Sequence, residues 1–457
     1  MTHDTEEPAP TRLDSALVET NLPRIAARAR SAALIGALLL ACSPARTLAV
    51  IPGQLVVDPE DPSRISYAGG GSFFLCAPGE PEGFLYRGSI NPDGTRNGDQ
   101  DELLDILEPT GANGVYLMAV RSHGGDGGPT QNPFVDNDPD LGLNEAVLAQ
   151  WDQWFTRMDD SGIVIFFFLY DDGARIWGPS GNFNAAEEQA LVSALVNRFE
   201  HHRHLIWVIA EEYAEKWETW EISALAAMVR EADDHDHPIA VHQNHGLSFH
   251  FGDDPNIDQF AIQYNNANTS NVHDGILTAW AEANGRYNLN LSEADGWGTG
   301  NLARRNAWAA AMAGAYVMHF NWDIESTPTA RLRECGALKQ FFEAAPLADM
   351  MPMDFTALGA TEYVLANPGG TYVAYTASNG SLGISNLPAG QPVVRWLDTV
   401  SGETVTAVIN VSGGDTFLTR PAGFGGEVAL QLVYGGATIF TDGFESGTTS
   451  AWPQVAP

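Results

Sequence analysis

The sequence predicts a (β/α)8 barrel followed by a small antiparallel β-sandwich. Three observations carry that reading. From about Phe73 to Pro346, short apolar runs alternate with amphipathic helical patterns. Eight such runs occupy that length, the number a closed parallel barrel needs. After Pro346 the pattern gives way to short alternating segments separated by Gly, Pro, Asn and Ser, the punctuation of antiparallel strands.

The candidate barrel strands are Phe73–Cys76, Val115–Val120, Val164–Tyr170, Leu205–Ala210, Ile239–His242, Phe260–Tyr264, Tyr287–Leu291 and Tyr316–Asn321. Continuous apolar runs of this kind suit strands buried on both faces. Between them, helical spacing recurs in Val147, Trp151, Trp154, Phe155 and Met158, and again in Leu191, Leu195 and Phe199. The last helix carries Leu332, Cys335, Leu338, Phe341 and Phe342. An open doubly wound sheet is the competing architecture, but no glycine-rich phosphate loop follows the first strand. The barrel is placed at residues 50–350 and the sandwich at 351–436, on strand candidates such as 371–375, 393–396 and 428–432. Residues 437–457 form a Gly/Ser-rich tail with no core of its own.

Residues 1–49 read as an export region. Arg24, Arg28 and Arg30 precede an apolar run, Ala32 to Ala41, that is too short to span a bilayer. Cleavage after Thr47-Leu48-Ala49 is the first choice. Leu39-Leu40-Ala41-Cys42 also resembles a lipoprotein box, which would leave a lipid on Cys42. Near the other end, Asp442-Gly-Phe-Glu-Ser-Gly447 resembles a signature at the ends of exported bacterial proteins. The expected location is therefore extracellular or at the cell surface, with no transmembrane anchor.

The formal net charge is −35. A surface this acidic repels nucleic acid and anionic lipid, and it suits salty surroundings where self-repulsion is screened. Of the three cysteines, Cys42, Cys76 and Cys335, none sits in a CxxC or zinc spacing. Cys76 and Cys335 read as buried free thiols, paired only if the fold brings them together. No cofactor is expected, and the chain is expected to act as a monomer.

Barrel chemistry collects at the C-terminal ends of strands. Arg121, His123 and Asp126 follow strand two; Asp171, Asp172 and Trp177 follow strand three; Glu211 and Glu212 end strand four. His242 ends strand five and Tyr264 strand six, Glu293 and Trp297 follow strand seven, and Trp322 follows strand eight. Glu212 and Glu293 are read as catalytic and the others as substrate-binding. Polar side chains fork to sugar hydroxyls, while indole faces cover the apolar side of a pyranose. A glycosidic bond breaks through an oxocarbenium-like state that needs two carboxyl groups about the bond. Strands four and seven lie nearly across a barrel from each other, so both glutamates reach one substrate, at the separation that retains anomeric configuration.

Two other readings compete. One is a carbohydrate-binding barrel without turnover. The other is a metal-dependent hydrolase using His242, His245 and His250; metal barrels of the amidohydrolase type need a His-x-His on the first strand, which Phe73–Cys76 lacks, so no metal is expected. The acidic loops 91–101 and 136–140 are the candidate places for a bound calcium, although neither follows the EF-hand order closely. His201, His202 and His204 fall at the far end of the barrel and read as surface, and His235 and His237 lie on the same bottom face.

Trp207-Val-Ile-Ala-Glu-Glu212 resembles the Trp-x-x-Gly-x-Glu segment of clan A glycoside hydrolases, and Ser292-Glu293 resembles their nucleophile position. Tyr264 and Trp322 match aromatic residues of strands six and eight in that clan. More closely, Asp236-His-Pro-Ile-Ala-Val-His242 and Trp308-Ala-Ala-Ala-Met-Ala-Gly314 are similar to the apiosidase-like families. In those a sandwich once labelled collagen-binding follows the barrel. The resemblance covers about Phe73 to Tyr434. It implies a glycosidase acting on a plant or algal poly- or oligosaccharide, with Glu293 as nucleophile, Glu212 as acid/base and Tyr264 as the donor beside Glu293. One departure matters: the clan has Asn where this chain has Glu211. Either the substrate differs or Glu211 accepts the sugar 2-hydroxyl bond itself; Glu211 is also the alternative acid/base, and beside Glu212 it would raise that residue's proton affinity.

Overall fold

The computed structural model describes residues 49–79, 83–178 and 183–435. The expected export segment, Cys42 and the 437–457 tail lie outside the described residues. A short antiparallel hairpin, β1 (Leu55–Val57) and β2 (Ile65–Tyr67), precedes the barrel. Eight parallel strands then form one sheet: β3 (Cys76–Gly79), β4 (Gly114–Val120), β5 (Val164–Tyr170), β6 (Leu205–Ala210), β7 (Ile239–Gln243), β8 (Gln259–Gln263), β9 (Asn288–Glu293) and β10 (Tyr316–Phe320). Each pairs with the next in sequence from β4 to β10, and β10 pairs back to β3. Every residue of β4, β5 and β6 is buried, as strands packed on both faces require.

The first strand begins at Cys76 instead of Phe73. Phe73, Phe74 and Leu75 are buried, but the seam between β3 and β4 is closed by a side chain. Asn113 accepts from the Cys76 N–H (3.0 Å) and donates to the Phe74 carbonyl (3.0 Å), while its own N–H donates to the Cys76 carbonyl (3.0 Å). Gly114 follows because the strands approach closely: a Cβ there would lie 2.9 Å from side-chain carbons of Leu75 and Ala77.

Among the described residues, α-helices follow seven of the eight strands. They are α1 (Gln100–Leu107), α2 (Glu145–Asp160), α3 (Ala185–Phe199), α4 (Thr219–Ala232), α5 (Thr269–Ala283), α6 (Asn301–Met312) and α7 (Thr329–Glu343). No helix joins β7 to β8, so the expectation of a helix in every connection fails there. The expectation of free thiols fails as well. Cys76 on β3 and Cys335 on α7 form a disulfide, with Cα atoms 5.4 Å apart; closing the barrel brings its first strand against its last helix. His202 and His204 are buried, not on the surface, and His204 Nδ1 lies 2.8 Å from Asp159 Oδ1. His237 is buried too, against Asp233.

Nine short strands follow among the described residues: β11 (Met351–Pro352), β12 (Ala357–Gly359), β13 (Tyr363–Asn367), β14 (Thr371–Thr376), β15 (Leu382–Leu387), β16 (Val393–Asp398), β17 (Thr404–Val408), β18 (Gly414–Leu418) and β19 (Val428–Val433). They form a six-stranded sheet, β11-β13-β14-β19-β16-β17, and a three-stranded sheet, β12-β15-β18, all antiparallel. The sandwich packs on α6. Trp308 stacks on Tyr375 at 5.0 Å, and Arg304 and Arg305 both reach Glu427, at 2.7 and 2.5 Å.

Candidate active site

The strands deliver a set of carboxylates to one mouth of the barrel. Glu293 is the last residue of β9 and only 6% exposed. Glu211 and Glu212 follow β6 directly. In an extended strand, consecutive side chains point to opposite faces, so both would not ordinarily enter one site. Glu212 breaks the alternation: its backbone is left-handed, φ 37° and ψ 45°. A non-glycine residue held there costs about 1–3 kcal/mol, a strain that persists only where the surroundings impose it.

Gln263, at the end of β8, joins the two expected catalytic residues. Its Nε2 donates to Glu293 Oε1 (2.6 Å) and to Glu212 Oε1; an amide nitrogen carries two hydrogens, one for each. His242, at the end of β7, makes the second link. The Glu212 N–H donates to His242 Nδ1 (3.1 Å), and His242 Nε2 lies 3.5 Å from Glu293 Oε2. Burial pushes the His242 pKa down to about 3, so the ring is neutral. With Nδ1 accepting, the proton is on Nε2 and faces the Glu293 carboxylate.

Glu211 lies deeper. It accepts from the Tyr116 hydroxyl (2.7 Å) and shares a hydrogen bond with Asp171. Its carboxylate lies within 4.8 Å of ligand atoms of both His242 and Glu293. Burial raises the Asp171 pKa, and Arg121, 3.3 Å away, opposes the shift. Glu212 is half-buried and its pKa is raised, by burial first and then by Glu215. The principal like-charged neighbour is thus Glu215, not the Glu211 expected from sequence. Asp172, Glu212 and Glu215 group their oxygens within 4.8 Å. Burial, then Asp126, Glu215, Asp171 and Glu212, push the Asp172 carboxyl up to about 7.

Tyr264 does not supply the donor to Glu293. Its ring packs against α5, where a Cβ on Gly275 would sit 2.6 Å from it, and only its backbone N–H reaches the Glu293 carbonyl (2.9 Å). The residue one position earlier, Gln263, faces the site. Trp297 and Trp322, read from the sequence as substrate-binding, are 4% and 2% exposed and belong to the hydrophobic core. They enclose His319: Trp322 stacks on it at 3.8 Å and Trp297 meets it edge-on at 5.6 Å. Their indole N–H groups donate to backbone carbonyls, Trp297 to Asn266 and Trp322 to Gly298, both 2.8 Å.

His123 and Asp126 are exposed on the loop after β4, where the Asp126 N–H donates to Asp171 Oδ2 (3.1 Å). Trp177 is half-buried after β5, and its carbonyl accepts from Arg175 (3.4 Å). Gln263, Glu215 and His319 were missed in the sequence. Each stands within three residues of an expected one, so position at a strand tip was the available signal.

A (β/α)8 barrel with paired carboxylates on opposed strand ends is the class that fold and site define. Residues 109–320 match the family model described as the apiosidase-like catalytic domain. A solved glycoside hydrolase family 5 structure from Bacteroides vulgatus ATCC 8482 is 16% identical, with a TM-score of 0.61 over 84% of this chain and 94% of its own. Another, described as a glycoside hydrolase, is 16% identical, with a TM-score of 0.59 over 84% of this chain and 98% of its own. At such identity the likeness is one of fold. No curated protein matches the sequence.

Proposed function

We propose that this chain is a secreted, retaining glycoside hydrolase acting on a poly- or oligosaccharide, with Glu293 as nucleophile and Glu212 as acid/base. The observation that carries the reading is the single Gln263 nitrogen bonded to both carboxylates. Two hydrogen bonds from one nitrogen hold the facing oxygens within roughly 6 Å. That suits the retaining separation of about 5–5.5 Å better than the inverting one of about 6.5–9.5 Å. Glu293 attacks the anomeric carbon while Glu212 protonates the departing oxygen. Glu212 then takes a proton from water, which displaces Glu293 from the glycosyl intermediate. The raised Glu212 pKa favours the proton it must carry. Glu211, buried beside Glu293, is assigned the sugar 2-hydroxyl.

Arg121, Asp171, Asp172, His123, Asp126 and Trp177 remain assigned to the substrate side of the mouth. The Cys76–Cys335 disulfide supports export, because such bonds persist in oxidising compartments. The protein is read as a monomer without nucleic-acid partners.

Proton NMR of the first-formed product tests the mechanism. Retention is expected; an inverted anomer rules the assignment out. Glu293→Gln is expected to abolish turnover while leaving binding, and azide to restore part of the activity of Glu212→Ala on an activated aryl glycoside. The metal-dependent reading has one observation behind it, the grouping of Glu211, His242 and Glu293. Activity that survives exhaustive chelation eliminates it.

A further inference from the structure

The missing helix between β7 and β8 leaves a groove on the outside of the barrel. α4 packs on α3 and α5 packs on α6, so the place a barrel helix would fill lies open between α4 and α5. The groove encloses about 470 Å³, within the range of small-ligand sites, about 300–1,000 Å³. Phe249 and Phe251, both buried, line its base, and Trp220 and Ser223 stand on its α4 side. Trp220 is 54% exposed and touches Phe183 in an edge-to-face contact at 5.6 Å. The indole therefore offers an open aromatic face beside hydrogen-bonding groups.

The charge of the groove narrows the ligand. Arg286 is paired with Asp253, which leaves Asp254 and Glu282 as the uncompensated charges among the lining residues. An anionic ligand is repelled. A neutral sugar offers what the surface lacks: hydroxyl donors for the carboxylates and an apolar ring face for the indole. The groove also adjoins the catalytic centre. His250, on its rim, is hydrogen-bonded to the Tyr213 hydroxyl, and Tyr213 follows Glu212 in the chain.

We propose that this groove is a second carbohydrate site, which holds a neutral oligosaccharide segment on Trp220 while another part of the same polymer occupies the catalytic centre. The proposal deepens the glycosidase reading and rests on it for the class of ligand. The test uses the full chain as wild type, Trp220→Ala and Trp220→Phe, the last keeping an aromatic face. Native gels containing xyloglucan, arabinoxylan, laminarin or polygalacturonate read binding without turnover.

Wild type and Trp220→Phe are expected to be retarded by at least one neutral glycan. Trp220→Ala is expected to lose roughly tenfold in affinity, the scale of one stacking contact. Its kinetics on small aryl glycosides should not change. If wild type hydrolyses no glycoside, the functional reading fails while the gels still test the groove. Four results overturn the groove proposal: no neutral glycan retards wild type; Trp220→Ala is retarded equally; polygalacturonate binds best; or Trp220→Ala abolishes a concentration-dependent dimer in place of glycan binding.

Discussion

His242 sits between the two catalytic residues: its Nδ1 accepts from the Glu212 backbone N–H, and its Nε2 faces Glu293 Oε2 at 3.5 Å. Replacing it by Ala removes the ring nitrogen that faces the nucleophile and leaves the Glu212 N–H without its acceptor. The expected result for His242→Ala is a kcat loss of roughly a hundredfold with KM little changed, the scale of one preorganised electrostatic donor. The acid limb of the pH–activity profile should also move to higher pH. A change in KM alone would make His242 a sugar contact, as the sequence suggested.

Asp172 tests the acidic mouth in another way. Its carboxyl titrates near pH 7 in the fold, against about 4 in the unfolded chain, so the folded state keeps a proton that the unfolded state releases. Stability therefore falls as pH rises from about 4 through about 7. Asp172→Asn should melt higher than wild type at pH 8 and together with it at pH 4; equal differences at both pH values would refute a charge effect. At this scale the sequence exposes residues directly after apolar strands, such as Glu293. It does not expose which of two adjacent tip residues turns inward, because Gln263 and Tyr264 differ only in the direction of the backbone.

Elements were legible where burial dictated composition. β4, β5 and β6 are wholly apolar stretches enclosed on both sides, and their bounds stand within a residue of those read from sequence. The first strand shifted because Phe73-Phe74-Leu75 is as apolar as a strand but meets the Asn113 side chain instead of a ladder. The β7–β8 connection carries Gly246, Gly252 and Pro255 and no helical spacing, so the barrel repeat was extended over it without local support.

The disulfide joins elements that sequence places 259 residues apart, and spacing alone does not pair them. It ties β3 to α7 across the point where the barrel closes. Removing a native disulfide costs about 2–5 kcal/mol. The Cys76→Ala/Cys335→Ala variant should melt several degrees below wild type, and reductant should bring wild type down to meet it. A reductant-insensitive wild type with the same melting point as the variant would show that the bond does not constrain the fold.

Across the whole molecule, the barrel and sandwich share apolar, ionic and hydrogen-bonding contacts. Trp308, on α6, presents a ring face to Tyr375, and Gln431 donates to the Phe341 carbonyl at the end of α7. Arg304 is only 4% exposed and is held by Glu427 of the sandwich and Glu334 of the barrel. α6 follows the β9 strand that ends in Glu293, so the sandwich supports the helix behind the nucleophile. Glu427→Ala leaves Arg304 buried with one carboxylate partner of two, at a cost of about 3 kcal/mol. A chain ended at Pro346 loses the same ion pairs and also opens Trp308 to water. Exposed apolar surface of that kind promotes association. The truncated chain should therefore be poorly soluble or melt lower, while Glu427→Ala stays soluble with a smaller drop. A truncated barrel as stable and active as the full chain would mean that the sandwich serves something other than support.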